Sequence, residues 1–160
     1  MQDINFFIYA RALHIGGVVL WIGGVAFVTT VLIPALKQVA EADNRLALFE
    51  ELEGRFALQA KITTLLTGLS GYYMLEFMNA WDRYSQIQFW WMHLMTFVWL
   101  VFTVVLFVLE PLFLHRWFRE RALLKSDSAF MWLHRMHKVL LALSLLAVLG
   151  AVAGSHGFAF

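Results

Sequence analysis

Four long apolar runs, joined by three short polar links, constrain this chain more than any other feature of it. The runs extend from about Phe7 to Leu36, Ala57 to Phe77, Phe89 to Leu114 and Leu133 to Ala153. Each meets the roughly 17–25 mostly apolar residues that carry an α-helix across a bilayer. Of 160 residues, 61% are hydrophobic and 14% charged, against roughly half and a quarter in a soluble domain. The excess is gathered into runs rather than spread around one core, so the expected solvent is the lipid bilayer. The links "KQVAEADNRLALFEELEGR", "MNAWDRYSQIQ" and "HRWFRERALLKSDSAFMW" are short enough that consecutive helices run antiparallel. The expected fold is therefore all-α: an integral membrane four-helix bundle, up-down-up-down, as one domain over residues 1–160. In the first link, Leu46, Phe49, Leu52 and Phe56 recur at helical spacing, which predicts an amphipathic interfacial helix between spans 1 and 2.

Charge sets an orientation. Lys37, Arg45, Arg55, Lys61, Arg116, Arg119, Arg121, Lys125, Arg135 and Lys138 fall on one side, and only Arg11 and Arg83 on the other. By the positive-inside rule both termini are expected outside the cytoplasm of a cell inner (plasma) membrane. "MQDINFF" has no basic n-region, and the apolar run behind it is too long for a signal peptide, so the first run is expected to stay as a membrane helix. The chain has no cysteine, which excludes disulfides, thiolate metal sites and cysteine nucleophiles. Nucleotide-binding glycine loops, HExxH, a nucleophile elbow and basic nucleic-acid patches are also absent from the sequence.

Chemistry then rests on a few polar side chains at membrane depth, where ionisable groups usually face the bundle interior, paired or ligating. His14 lies about seven residues into the first run, roughly 10 Å along the helix. His93 lies at similar depth in the third run, which is parallel to the first. Two imidazoles so placed suit the axial positions of one haem iron, with haem b as the expected cofactor. Trp21 shares the His14 face one heptad on, and Gly16, Gly17, Gly23 and Gly24 form a stripe beside it. Such a stripe admits either a flat macrocycle or a neighbouring helix. His93, Phe97, Leu100, Val104 and Phe107 share one face suited to a porphyrin edge. Met74, Met78, Met92 and Met95 lie near the same surface and, with the histidines, form a soft ligand set suited to copper. Glu76, at the end of the second run, is a candidate partner for an imidazole or a proton. On the basic side His115, His134 and His137 form a possible second site, or an interfacial group meeting lipid phosphates. Lys61 either snorkels or pairs with an acid such as Glu110, and Pro111 is expected to kink the end of the third helix.

These residues carry a resemblance to two related groups of small membrane proteins, the copper-resistance-D (CopD) domain and the HemJ-type protoporphyrinogen oxidases. "ALHIGGVVLWIGGVAFVTTVLIPAL" resembles their opening helix, with a histidine and a tryptophan one heptad apart. "FEELEGRFALQAKITTLLTGLSGYYML", "WWMHLMTFVWLVF" and "WLHRMHKVLLALSLLAVLGAV" resemble the second, third and last helices. The resemblance implies a haem-binding or redox-linked membrane protein, with His14 and His93 matching the haem-ligating histidines. Its enzymatic form is a porphyrinogen oxidase, and its partners would be a quinone, a porphyrin or a cytochrome. Met95 stands where HemJ proteins usually have a lysine, a departure from the porphyrinogen-oxidase pattern. The alternatives are copper handling or transport through the His and Met ligands, and a non-catalytic membrane subunit. A homodimer through the glycine stripe fits each of these readings.

Overall fold

The computed structural model describes residues 2–38, 41–114, 116–117, 120–121 and 126–157, and among these no strand occurs. Helix α1 (Gln2–Phe27) runs through a π-helical turn (Val28–Leu32) into α2 (Ile33–Leu36), making one continuous rod. Helix α3 (Ala42–Phe77) returns alongside it. Two 3₁₀ turns (Trp81–Ser85 and Ile87–Phe89) lead into α4 (Trp90–Val104), which continues as a π-helical segment (Val105–Leu114). Helix α5 (Ser126–Ser155) completes an all-α membrane bundle of four antiparallel rods. Helix α1 packs chiefly on α3, and α4 chiefly on α5.

Three stretches are long and apolar enough to cross a membrane: Ile4–Leu36, Ile87–Leu112 and Asp127–Ser155. Helix α3 is diluted by Lys61, Thr63, Thr64, Thr67 and Ser70, yet its polarity is turned inward. Thr64 is 0% exposed, whereas Leu69 on the opposite face is 68% exposed. An apolar outside around hydroxyl-bearing helix contacts is the arrangement a bilayer favours. The expected amphipathic helix in the first link is the N-terminal part of α3 itself. Its Leu46 and Phe49 pack on Val28, Leu32, Ile33, Leu36, Phe130 and Leu133, while Leu52 lies exposed. A second core layer joins Trp21, Ile22 and Val25 of α1 to Val98 and Phe102 of α4.

Local sequence explains the element ends. Helix α3 stops in a Schellman turn: Ala80 N–H bonds Leu75 O at 3.0 Å, and Asn79 N–H bonds Glu76 O at 3.0 Å. Asn79 takes the left-handed conformation this requires, with φ 46°. Pro111 lies inside the π-helical segment; its missing N–H breaks the α-ladder there, and the helix widens. Close rod contacts use glycine against tryptophan. A Cβ at Gly68 would stand 2.5 Å from the Trp99 ring, and one at Gly154 2.3 Å from Trp91.

Candidate functional site

His14 faces α3. Its Nδ1 lies 2.9 Å from the Thr67 carbonyl oxygen and 3.3 Å from Ser70 Oγ. The Ser70 hydroxyl donates to Leu66 O, so the His14 ring supplies the proton toward Thr67 and carries it on Nδ1. Gly71 makes room for the ring: a Cβ there would sit 3.2 Å from His14 Cε1. Nε2 is then the lone-pair nitrogen, and among the described residues it has no hydrogen-bond partner. Metal-binding imidazoles are ordinarily held this way, one nitrogen fixed by a carbonyl and the other presented to the ion. His14 therefore fits the role of a single anchored ligand.

His93 has different surroundings. It is exposed on α4, and its ring meets Tyr84 edge-on at 5.2 Å. Tyr84 is itself tied to Thr96 Oγ1 at 2.7 Å. Phe97, Leu100, Val104 and Phe107 are exposed on the same side of the helix, opposite the buried Met92, Val98 and Phe102. The two histidines thus differ in setting, His14 anchored on α3 and His93 exposed on α4. Among the methionines, Met92 is buried, Met74 and Met95 are half-buried, and Met78 is exposed past the end of α3. Glu76 Oε1 accepts from Trp81 Nε1 at 3.1 Å rather than from an imidazole. No group of three or more His, Asp or Glu side chains that could hold a metal ion occurs among the described residues.

The glycines divide by face. A Cβ at Gly17 would lie 2.6 Å from Thr67 Oγ1, and one at Gly24 2.1 Å from Phe56. Gly16 and Gly23 meet nothing within 4 Å. Gly17 and Gly24 therefore set the α1–α3 approach. Trp21 is buried between them, edge-on to Phe102 at 4.9 Å.

Lys61 pairs with Glu110, Nζ to Oε2 at 2.8 Å, and joins α3 to the π-helical part of the third span. Glu110 Oε2 has no hydrogen-bond partner among the described residues, so the ion pair is its one polar contact there. Both side chains are partly shielded, 30% and 23% exposed.

Of the basic-side histidines, His134 and His137 make separate hydrogen bonds. His115 lies outside the described residues. His134 Nδ1 accepts from Lys37 Nζ at 2.9 Å, because an ammonium only donates, and Nε2–H donates to Thr29 O at 3.0 Å. The sequence creates that acceptor. In the π-turn Ile33 N–H bonds Val28 O, and the next residue, Pro34, has no N–H to offer, so the Thr29 carbonyl is left for another element. His137 instead turns back on its own helix, Nδ1–H to Leu133 O at 3.0 Å.

Four interior residues were not singled out by their sequence context: Thr64, Thr67, Ser70 and Trp99. Trp99 Nε1 donates to Thr64 O at 2.9 Å and pins α4 to α3. For the three hydroxyl residues the signal is their recurrence at 64, 67 and 70, every third residue of an apolar run; Trp99 has none. In comparisons with known proteins, no family model, curated protein or solved structure matches the chain.

Proposed function

We propose that the chain is a CopD/HemJ-like redox protein of the inner membrane that binds haem b through His14, with both termini outside the cytoplasm. The observation that carries this reading is the tether from His14 Nδ1 to the Thr67 carbonyl, 2.9 Å, which leaves Nε2 as the ligating nitrogen. Haem b would supply the electron chemistry, in electron transfer or in porphyrinogen oxidation. The chain's part is to fix the imidazole and tune the potential. His93 faces outward beside Phe97, so it enters this reading as a ligand contributed between two copies of the chain. Arg11 and Arg83 against ten basic residues at the opposite end support the orientation.

The visible spectrum of the detergent-purified protein, oxidised and dithionite-reduced, tests it. A reduced α-band that disappears in His14→Ala is the expected result. Retention of that band in His93→Ala would remove His93 from the site. Colourless protein with stoichiometric copper would replace haem with a copper site involving Met74, Met78, Met92 or Met95. Protein with neither metal nor colour would leave a non-catalytic membrane subunit.

A further inference from the structure

Three buried polar atoms in the seam between α1, α3 and α4 have no hydrogen-bond partner among the described residues: Trp21 Nε1, Thr64 Oγ1 and Thr67 Oγ1. Their residues are 3%, 0% and 6% exposed. Threonines in apolar helices ordinarily turn the hydroxyl back onto the carbonyl four residues earlier. The other five of the chain do so: Thr29 to Val25, Thr30 to Ala26, Thr63 to Gln59, Thr96 to Met92 and Thr103 to Trp99. Thr64 and Thr67 instead leave both hydroxyls unpartnered inside the seam.

The three atoms belong to one region. Contacts of Gly17 with Thr67 and of Gly24 with Phe56 fix the antiparallel register. That register sets Trp21 across from the turn of α3 that holds Ala60 and Thr64. An indole N–H only donates, while a hydroxyl both donates and accepts. Water complements that set, accepting from Trp21 and bonding both hydroxyls, and buried polar groups are commonly satisfied this way. An apolar ligand would leave all three unmatched. One turn below Thr64 stands the Lys61–Glu110 pair, whose side chains are 30% and 23% exposed. The rise along α3 from Lys61 to Thr67 is about 9 Å, which about three waters span at ~2.8 Å each.

We infer that ordered water occupies this seam at Trp21, Thr64 and Thr67 and enters past Lys61 and Glu110. Solvent and protons from the basic end then reach the middle of the bundle. The inference is independent of whether His14 holds a metal.

Water-edited NMR and deuterium exchange on the ¹⁵N-labelled chain in bilayers test it, with Trp21→Phe to assign the indole signal. Trp99 is the internal reference, since its N–H is already bonded to Thr64 O. The Trp21 indole should exchange at least tenfold faster than that of Trp99. Thr64→Val with Thr67→Val should slow it at least tenfold, and Thr64→Ser, which keeps the hydroxyl, should restore it. Lys61→Met with Glu110→Leu should also slow it. A Trp21 indole that exchanges no faster than Trp99 in the unsubstituted protein would overturn the proposal. So would an exchange rate unmoved by removal of either the hydroxyls or the ion pair.

Discussion

Gly17 and Gly16 are adjacent in sequence and opposite in consequence. A Cβ on Gly17 would stand 2.6 Å from the Thr67 hydroxyl, while one on Gly16 meets open space. Gly17→Ala should therefore destabilise the fold by about 1–3 kcal/mol through overpacking. Gly16→Ala should stay within about 0.5 kcal/mol of the parent. Unfolding in mixed micelles, with both variants side by side, checks the contrast. His134 offers a second residue-scale prediction. Its Nε2–H is the donor for the Thr29 carbonyl in the π-turn, and Thr29 is buried. His134→Phe should cost about 1–3 kcal/mol, the penalty of a buried acceptor left unpaired. His134→Gln keeps an N–H donor and should recover part of that loss in the same assay. Neither the divided stripe nor the His134 partnership was legible as such. Sequence spacing placed the four glycines and the basic-side histidines, but which face of a rod meets its neighbour is settled by contacts distant in the chain.

At the scale of the helices, α3 departs furthest from its sequence reading. The apolar run at 57–77 announced a span, and the amphipathic spacing at 46, 49, 52 and 56 announced a helix before it. In the fold they are one helix of 36 residues, because no proline separates the two patterns and Gly54, near their junction, stays helical. Lys61 and Glu110 were readable as partners, since an apolar interior offers a cation few acids. Their pairing links α3 to the π-helical end of the third span. Lys61→Met alone would leave the Glu110 carboxylate uncompensated at membrane depth. Breaking a buried pair costs about 3–5 kcal/mol, and partial exposure here should bring the loss toward the lower end of that range. Lys61→Met with Glu110→Leu should be closer to the parent than either single change, which a double-mutant unfolding cycle measures. His93 shows where such reading stops. Counting residues gives a side chain's depth along a rod but not the direction it faces, and α4 turns His93 toward the exposed side. Thr64 and Thr67 carry no distinguishing mark in the sequence for a related reason, because a threonine in an apolar helix is usually occupied by its own backbone.

For the whole molecule, apolar run length made the rods and their apolar exteriors legible, and the short links made their antiparallel order legible. The partition of basic residues also makes a topology prediction. A reporter fused after Phe160 should be active as alkaline phosphatase and dark as green fluorescent protein if both termini lie outside the cytoplasm. What run length did not convey is how far the rods extend. Helix α3 alone has 36 residues, about 54 Å of helix against roughly 30 Å of hydrocarbon. The surplus lies largely at the basic end, where Leu36, Leu46, Phe49, Phe130 and Leu133 make their own cluster. Arg45 closes over it, 2.6 Å from Asp127 and stacked above Phe130 at 5.7 Å. Its α3 members, Leu46 and Phe49, lie outside the apolar stretches while its other members lie inside them, so on the expected topology water's aversion to hydrocarbon acts at this end and packing in lipid along the rest of the rods. One chain therefore answers to two solvents. Urea, confined to the aqueous phase, should release amide protons of 42–52 and 127–133 well before those of 17–25, as hydrogen exchange would record. The protein would then melt from one end like a wick, its membrane half standing after its water half has gone.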